Sequence, residues 1–495
     1  MVYFFKDDVY PDFYVNVKIN TLSANDIIKD LRELNQKQAD QITALLSHIG
    51  NLEVIIEKQA NQISILTARV DDLEKELSIY KNRKNSGNSH IPPSVDFGKP
   101  QRNQSLREKS DKKAGGQPGH EGSTLAFWAS PDEIIAHVPQ YCHRCGDNLA
   151  DVPAIALSKR QVIDIPKPIA ICTEHQVFSK TCSCGHVTKG EFPVNVNSNI
   201  QYGNHIEALT AYLNVRQYMP FGRIQEFYSK VMGVEISQGG IVGLLQRFTA
   251  KALPMYQEIK NRVKKSTCLG TDETGAKING KTHWFWTWQN QELTFIIQSV
   301  SRGYKTIEET FPEGLPDVIL VHDRWAPHFR CQALHHQVCL AHLFRDLNYI
   351  EQVHASDWAQ SLKSLLIQAI ALNNKADDCA SISMTARNHL EHAFAEFLQD
   401  KLPDKDKLAI RLQKKLRKIS RHVLCFLYYD NVPSDNNGSE RAIRNIKIKQ
   451  KVSGGFRSAN GADAFALLRS VIDTTIKSGN DVFYALTLIA NFRPE

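Results

Sequence analysis

The clearest pattern of hydrophobic positions runs through residues 28–80. Apolar side chains recur there at alternating steps of three and four, with Ile or Val dominating one set of positions and Leu the other. This seam predicts a long helix that pairs in a parallel two-stranded coiled coil, with Asn35 setting the register. The alternative is a helix folded back on its own chain, although so narrow a seam suits a partner helix better. We therefore predict a homodimer or higher oligomer through this coiled coil.

Alternating and continuous apolar runs predict a sheet in the second half of the chain. Three consecutive segments are typical of an antiparallel meander: STCLGTDETGAKI, GKTHWFWTWQ and ELTFIIQSV. A fourth, apolar strand ends on Asp323 in DVILVHDRW, and a short strand, HQVCL, follows. Trp284, Trp286 and Trp288 share one face of the second strand, which indicates core packing. Strands and helical segments in one chain make the predicted fold class multidomain α+β.

Helical periodicity surrounds these strands. From Tyr202, helical segments separated by Gly233, with Ser237 as an N-cap, are similar to a helix-turn-helix in which Arg247 is a candidate DNA contact. The last of these helices carries few cations, so a structural helical hairpin is an equal alternative. Between about Trp358 and Leu427 the pattern is entirely helical, and helices also end the chain.

The distribution of charge along the chain predicts a type of binding partner. The chain carries 60 Lys and Arg against 53 Asp and Glu, a net charge of +7, and nearly all of the excess lies between Lys81 and Lys113. This basic segment, which includes Lys112 and Lys113, favours a polyanion, and an inert spacer is the alternative. With 495 residues, no apolar run of membrane length and no signal-peptide core, we expect about three or four domains in a cytoplasmic protein without a membrane partner.

Ten cysteines in a reducing compartment indicate metal binding where they cluster. Cys142 and Cys145 form a CxxC, and Cys182 and Cys184 form a CxC. Two such pairs on either side of a strand-rich segment predict one structural Zn²⁺ site, and reduced core cysteines without metal are the alternative. Because CxC is tighter than the usual knuckle, one ligand has possible substitutes: His143, Cys172 and His186.

Three acidic residues occupy positions suited to chemistry. Asp272 lies inside the first strand of the meander, and Asp323 ends a buried strand, where the crevices of open α/β sheets form. Glu440, Arg444 and Lys447 fall at i, i+4 and i+7, so one helical face carries a carboxylate and two cations. Such a face suits a carboxylate that holds Mg²⁺ beside cations that hold phosphates.

Simpler interpretations stay open around these residues. Asn437 as N-cap and Glu440 three residues later also make a capping box. Cys339 and His342, at CxxH spacing, are either half of a metal site or, as we expect, orienting or structural residues.

The ordered set of motifs resembles the transposase family of insertion sequence sixty-six, the TnpC type. The resemblance covers the chain from about Ile28 and rests on the zipper, the cysteine pairs, GGQPGH, TDETGAKINGKTHW, HDRWAPHF, CLAHLFRDL and DNNGSERAIRNIKIKQKVSGGFRS. It implies a ribonuclease-H-like core in which Asp272, Asp323 and Glu440 are a DDE triad that holds two Mg²⁺, with Mn²⁺ as a substitute. It also implies strand cleavage and strand transfer at the ends of a mobile element in a bacterial cell.

The resemblance implies DNA and two small accessory proteins as partners. The cations expected near the scissile phosphate are Arg441, Arg444, Lys447, Lys449, Lys451 and Arg457. Two alternatives belong to other classes: a catalytically silent, transposase-derived DNA-binding or regulatory protein, and a plain nuclease that cleaves without joining strands.

The expected layout is a ribonuclease-H-like α/β core interrupted by an all-helical insertion and preceded by three smaller parts. Its boundaries are a tail (1–25), a coiled coil (26–81), a basic linker (82–124), a zinc module (125–196), a helix-turn-helix-like domain (197–262), the first part of the core (263–350), the insertion (351–427), the second part with Glu440 (428–478) and a terminal helix (479–495).

Overall fold

The computed structural model describes three stretches of the chain, residues 24–81, 127–164 and 170–492. They belong to two compact units, Met1–Arg83 and Lys84–Glu495. The predicted tail up to residue 23 and the predicted basic linker, with Lys112 and Lys113, lie outside the described residues.

The heptad pattern of the first unit forms one uninterrupted helix, α1 (Ala24–Lys81). Asp26 lies in its first turn, where a negative charge interacts favourably with the helix dipole. The seam is exposed, since Ile63 and Leu66 each show 64% of their surface to solvent. The predicted helix is therefore confirmed, and its pairing in a coiled coil stays a prediction.

The cysteine-containing segment of the second unit carries a small antiparallel ribbon. β1 (Ser179–Thr181) pairs with β2 (Val187–Lys189), and Gly185 between them has a φ of 86°, which glycine adopts without strain. Large apolar side chains of this segment are exposed, among them Leu157 at 95%. The segment thus buries little apolar surface of its own.

Five strands form one mixed sheet, in the order β5-β4-β3-β6-β7. The predicted meander is confirmed, because the first three strands are antiparallel neighbours, and β6 and β7 then extend the sheet in parallel from β3. Their bounds are β3 (Cys268–Ile278), β4 (Lys281–Gln289), β5 (Thr294–Ser299), β6 (Leu315–His322) and β7 (Ala333–Val338).

The alternation of side chains along β3 and β6 divides the hydrophobic core between the two faces of the sheet. Leu269 and Leu320 pack into one core, and Cys268 and Ile319, one residue away on each strand, pack into the other. The first core also contains Trp286 and Trp288, stacked 6.1 Å apart between ring centroids. Both faces are therefore covered.

The helices before the sheet belong to the first of these cores. α2 (Asn204–Ala211) runs into a π-helical turn (Tyr212–Arg216) and is followed by α3 (Phe221–Lys230) and α4 (Gln238–Lys264). The predicted cap at Ser237 is confirmed, since its Oγ accepts a hydrogen bond from Gly240 N at 3.0 Å. Ile241, Leu244 and Phe248 of α4 are fully buried in the same core as the sheet. These helices thus pack as part of the sheet's own body.

The remaining helices cover the sheet and form the long excursion between β7 and the Glu440 segment. α8, α9 and α10 make up this excursion, and together with α7 and the 3₁₀ turns they contribute most of the second core. The bounds are α5 (Tyr304–Thr310), α6 (Ala326–Phe329), α7 (Leu340–His354), α8 (Asp357–Lys375), α9 (Met384–Gln399), α10 (Lys407–Ile419), α11 (Asn437–Ser453), α12 (Ala459–Lys477) and α13 (Val482–Asn491), with 3₁₀ turns at Cys379–Ser381, Ser420–His422 and Cys425–Leu427.

Hydroxyl side chains of α12 cover the edge strand β5. Ser470 Oγ accepts from Ile296 N at 2.9 Å, and Thr474 Oγ1 accepts from Thr294 N at 3.1 Å. Backbone donors that an open edge would expose are thereby satisfied. None of the helices in the described stretches combines the length and the apolar character needed to cross a membrane.

Candidate active site

Strand pairing makes two of the three predicted acids neighbours. β3 and β6 run parallel with Gly270 opposite Val321. Continuing that register by two residues sets Asp272 beside Asp323, the residue that follows β6. Adjacent strands lie about 4.8 Å apart, so the two carboxyl groups start from neighbouring backbones.

Asp272 is the most electrostatically perturbed of the three acids. Burial raises its pKa well above the ordinary value, and the negative charges of Glu273, Asp323 and Glu440 raise it further. Among the residues that the structure describes, its side chain accepts one hydrogen bond, from the backbone N–H of Glu273 at 2.8 Å. No Lys, Arg or His in the described stretches forms an ion pair with it. A cation placed here would relieve this concentration of negative charge.

The N-terminus of α11 docks directly on β3 and carries Glu440 to the aspartates. Asn436 donates from its side chain to Thr271 O at 2.8 Å and from its backbone to Cys339 Sγ at 3.2 Å. Gly270 allows this approach, because a Cβ there would lie 2.6 Å from Ser439 Oγ. The predicted N-cap was one residue off: Asn436, not Asn437, precedes the helix, and its side chain bonds to β3.

Two arginines and one histidine surround the Glu440 carboxylate. Arg345 Nη2 lies 3.6 Å and His342 Nε2 3.8 Å from Oε1, and Arg444 Nη2 lies 3.9 Å from Oε2. Glu440 thus faces α7 and its own helix surface, and the capping box is not what orients it. For Cys339 the structural interpretation holds, since it accepts the Asn436 hydrogen bond and burial raises its pKa to about 12.

The donor set fits a hard divalent cation, because all three acids supply carboxylate oxygens and Asp272 lacks a counter-charge. Within the described residues, however, no group of three or more His, Cys, Asp and Glu is placed to hold a metal ion. The acids share one electrostatic environment, since the charges of Asp323 and Glu440 both raise the pKa of Asp272.

A buried polar network that the sequence patterns did not reveal lies behind the aspartates. Glu273 accepts from Arg302 Nε at 2.8 Å and from His328 Nε2 at 3.1 Å. His328 Nε2 also lies 3.8 Å from Asp323 Oδ1. Burial alone would raise the pKa of Glu273, but its bonds to His328 and Arg302 outweigh burial and hold the pKa below the ordinary value. Glu273 is therefore an ionised anchor beside the site.

Histidines at the end of β6, in β7 and in the 3₁₀ turn at Ser420–His422 act as neutral packing groups. His322 Nε2 and His336 Nδ1 are 3.0 Å apart, and the His336 and His422 rings lie 5.3 Å apart. Burial, with the nearby His422, lowers the pKa of His336 to about 4, and burial also lowers the pKa of His322. At neutral pH these rings support the turn that carries Asp323 without adding positive charge.

The cations of α11 and the turn after it do not all face solvent. Lys449 is 7% exposed, donates to Asn214 O at 3.1 Å, and burial lowers its pKa to about 8. This position corrects its predicted role, because an ammonium group bonded inside the core does not reach a phosphate. The other predicted DNA-binding residues of this segment are exposed: Arg441, Arg444, Lys447, Lys451 and Arg457.

The predicted contact residue of the helix-turn-helix-like segment has a partner within the protein. Arg247 Nε lies 3.1 Å from Glu207 Oε1, and Lys251 Nζ lies 2.7 Å from Glu207 Oε2. Glu207 is buried, so these ion pairs tie α4 to α2. The geometry favours the structural-hairpin alternative, although the Arg247 side chain keeps 55% exposure.

Each predicted zinc-binding cysteine pair lies on a tight turn. Gly146 N donates to Cys142 O and Gly185 N donates to Cys182 O, both at 2.9 Å. Hydrogen bonds from the backbone and side chain of the neighbouring cysteine lower the pKa values of Cys142 and Cys182. Because no metal-binding group of three or more such residues is assembled in the described stretches, the four-cysteine site stays a prediction.

A mixed sheet covered on both faces, with acids on adjacent parallel strands and on a docked helix, defines an α/β protein with an acidic site. Comparison with known families then identifies it: residues 199–464 match the model described as Transposase IS66 family, so the chain belongs to that family. Membership supports a transposase role, and hence a DNA-binding enzyme that cleaves and transfers DNA. Residues 21–126 match a family of unknown function, DUF6444, and no curated protein matches the chain.

Proposed function

We propose that this protein is the DNA transposase of a bacterial insertion sequence, and that Asp272, Asp323 and Glu440 form its catalytic triad. The observation that carries the proposal is the pKa of Asp272, raised by burial and by the charges of neighbouring acids that include both other members. Asp323 and Glu440 lie 51 and 168 positions after Asp272 in the sequence, yet the charges of both act on its carboxyl group. Bringing together three carboxylates that are each at least partly buried is costly unless the site binds a cation.

The sheet supports a ribonuclease-H-like core. An antiparallel meander is extended in parallel by β6 and β7, and helices cover both faces. The site lies where β3 and β6 are adjacent, and the helical excursion α8–α10 separates the second acid from the third in sequence. Asp272 is proposed as the ligand shared by two ions, with Asp323 and Glu440 each binding mainly one.

Mg²⁺ is the proposed cofactor, two ions per site, with Mn²⁺ as a substitute. When bound, the ions supply activation of the attacking oxygen and stabilisation of the leaving oxygen. The chain's own contribution is to orient the acids: Trp325 N donates to Asp323 Oδ1 at 2.9 Å, and Arg345 and His342 hold Glu440 toward α7. These contacts orient the carboxylates of Asp323 and Glu440 in the absence of metal.

The exposed cations of α11 are proposed to bind the DNA backbone. Arg441 and Arg444 flank Glu440 within one helical turn, so phosphates held there lie close to the acids. Such contacts release counterions and make binding steeply dependent on salt. DNA at the element ends and at the target is the proposed partner, beside small accessory proteins.

The segments outside the sheet are proposed to assemble and stabilise the complex. α1 would pair two subunits as a coiled coil, so that both element ends are processed together. One structural Zn²⁺ held by Cys142, Cys145, Cys182 and Cys184 would stabilise a segment that buries little apolar surface. We expect about one zinc per chain in purified protein, and metal analysis that finds none would leave this segment without its proposed ligand.

Two substitutions test the triad. Asp272→Asn and Glu440→Gln remove a charge with little change of shape, and each should abolish cleavage of an element-end duplex with Mg²⁺ while DNA affinity stays near that of wild type. Asp317→Asn is the matched control, because Asp317 is an exposed acid on the same strand that leads to Asp323. Retained cleavage by Asp272→Asn would refute the triad.

Metal binding is also testable without DNA. Mg²⁺ should raise the thermal unfolding temperature of wild type and of Asp317→Asn, since a ligand that binds the folded state stabilises it. Asp272→Asn should lose that response. A wild-type protein that binds DNA but neither responds to Mg²⁺ nor cleaves would instead be a catalytically silent, DNA-binding relative.

A further inference from the structure

One arginine near the acidic site makes three fixed contacts, and the proposed triad gives it no role. Arg302 lies in the loop between β5 and α5, and its Nε donates to Glu273 Oε1 at 2.8 Å. Its guanidinium carbon lies 4.7 Å from the centre of the Trp284 ring and 4.3 Å from that of Trp325. Two cation–π contacts, together with the ion pair, restrain the orientation of the group.

The ion pair that anchors Arg302 is asymmetric. The Glu273 side chain is 1% exposed, whereas the Arg302 side chain is 41% exposed. Glu273 uses its second oxygen for His328, so the carboxylate is fully engaged from within the protein. The anchor therefore lies inside, and the guanidinium extends from it toward solvent.

The outward part of this guanidinium has donors to spare. An arginine carries five N–H donors, and the bond to Glu273 occupies the one on Nε. Across the described stretches, no side chain or carbonyl accepts a hydrogen bond from Nη1 or Nη2 of Arg302. A planar, oriented pair of donors that faces solvent matches the geometry of a phosphate group.

Short connections link this arginine to both aspartates. Trp325, which stacks on Arg302, donates its backbone N–H to Asp323 Oδ1 at 2.9 Å. Glu273 donates its backbone N–H to Asp272 Oδ1 at 2.8 Å. Arg302 is thus positioned through the same two peptide segments that position the aspartates.

We propose that Arg302 binds a phosphate of the DNA strand next to the scissile bond, with Glu273, Trp284 and Trp325 as its positioning residues. This assignment rests on the proposed function and adds a phosphate contact to it. The strand would then be held at two places near the acids, by Arg302 and by the α11 cations. Two points of contact fix the register of a backbone better than one.

The test is the salt dependence of DNA binding. Arg302→Ala should bind a fluorescent duplex carrying the DNA that flanks this coding sequence about tenfold more weakly than wild type, without Mg²⁺. The slope of log affinity against log salt should fall in magnitude by about 0.9, the value for one lost phosphate contact. Lys305→Ala is the matched control, because Lys305 is nearby, 75% exposed and paired with Glu309.

The variants separate binding from folding. Arg302→Lys keeps a charge but loses the planar pair of donors, so it should keep the salt slope and still bind more weakly than wild type. A purely structural arginine would change the unfolding temperature and leave the slope of a folded variant unchanged. Wild-type affinity and slope in Arg302→Ala, or wild-type affinity in Arg302→Lys if the alanine variant does not fold, would overturn the assignment.

This outcome is independent of the triad test. If Asp272→Asn still cleaves DNA, the proposed function fails whatever Arg302→Ala does. If wild type cleaves, Asp272→Asn does not, and Arg302→Ala binds like wild type, then only the role of Arg302 is wrong.

Discussion

Lys449 belongs to the basic helix α11, but its side chain is buried in the core. Burial of its charge is unfavourable at neutral pH. The folded state lowers its pKa to about 8, against an ordinary value of about 10.4. Below pH 8 the group is charged in both states, so the full desolvation cost is present. As pH rises from 8 toward 10.4 the unfolded chain binds more protons than the native one, and stability increases over that interval.

Lys449→Met should therefore stabilise the protein at pH 7 by about 2 kcal/mol, after allowance for the lost hydrogen bond to Asn214. The gain over wild type should shrink between pH 8 and 10.4, as measured by denaturant unfolding. DNA affinity should not change, whereas Arg444→Ala should weaken it with a smaller salt slope. An equal loss of DNA affinity in both variants would show that Lys449 does contact DNA.

The helical spacing of Lys449 predicts that it is buried, whereas its charge predicts that it is exposed. It lies seven residues after Ala442 and three after Ile446, both buried, so helical periodicity places it on the apolar face. Arg302 offered no such signal. Its contacts join a loop to two strands and a turn, and neither periodicity nor spacing encodes those distances.

At the scale of elements, the close contact between α11 and β3 depends on Gly270. A Cβ there would lie 2.6 Å from Ser439 Oγ and 2.7 Å from Asn436 Oδ1. Gly270→Ala should shift the N-terminus of α11 and with it Glu440, because such overpacking costs about 1–3 kcal/mol and is relieved by displacement. Displacement of a catalytic group by about 1 Å can lower the rate about 100-fold.

The measurement is the cleavage rate with Mg²⁺ beside the unfolding temperature. Gly275→Ala is the matched control, since a Cβ at Gly275 on the same strand would make only ordinary contacts, the nearest at 3.5 Å from Thr282 Cγ2. We expect Gly275→Ala to cleave at the wild-type rate. A Gly270→Ala protein that cleaves equally fast would show that Glu440 does not need this docking.

Helices and strands were predictable where the hydrophobic periodicity continues over the whole element. The packing and pairing of these elements with one another were not. The meander, the strand that ends one residue before Asp323 and the cap at Ser237 all follow from local pattern and local hydrogen bonding. The register of β3 against β6, which brings Asp272 beside Asp323, depends on parallel pairing between segments about 50 residues apart. The family resemblance supplied the triad that local patterns had only suggested.

At the scale of the whole molecule, the chain combines a sheet whose two faces are packed with segments whose apolar side chains are exposed in the monomer. The helices before the sheet, which resembled a separate domain in sequence, share its core. By contrast, α1 and the cysteine-containing segment expose many large apolar side chains. Exposure of apolar surface on this scale indicates a partner or ligand that covers it.

For α1 the proposed partner is a second copy of the helix, so oligomeric state should depend on the seam. Ile63→Asp with Leu66→Asp places two charges in the predicted interface and should convert a dimer to a monomer, as measured by light scattering with size-exclusion chromatography. Ser64→Asp is the matched control, because it adds a charge to the same helix outside the seam. The monomer should keep its metal response and bind single ends but lose joint processing of two ends. A wild-type monomer, or a double variant that stays dimeric, would contradict pairing through α1.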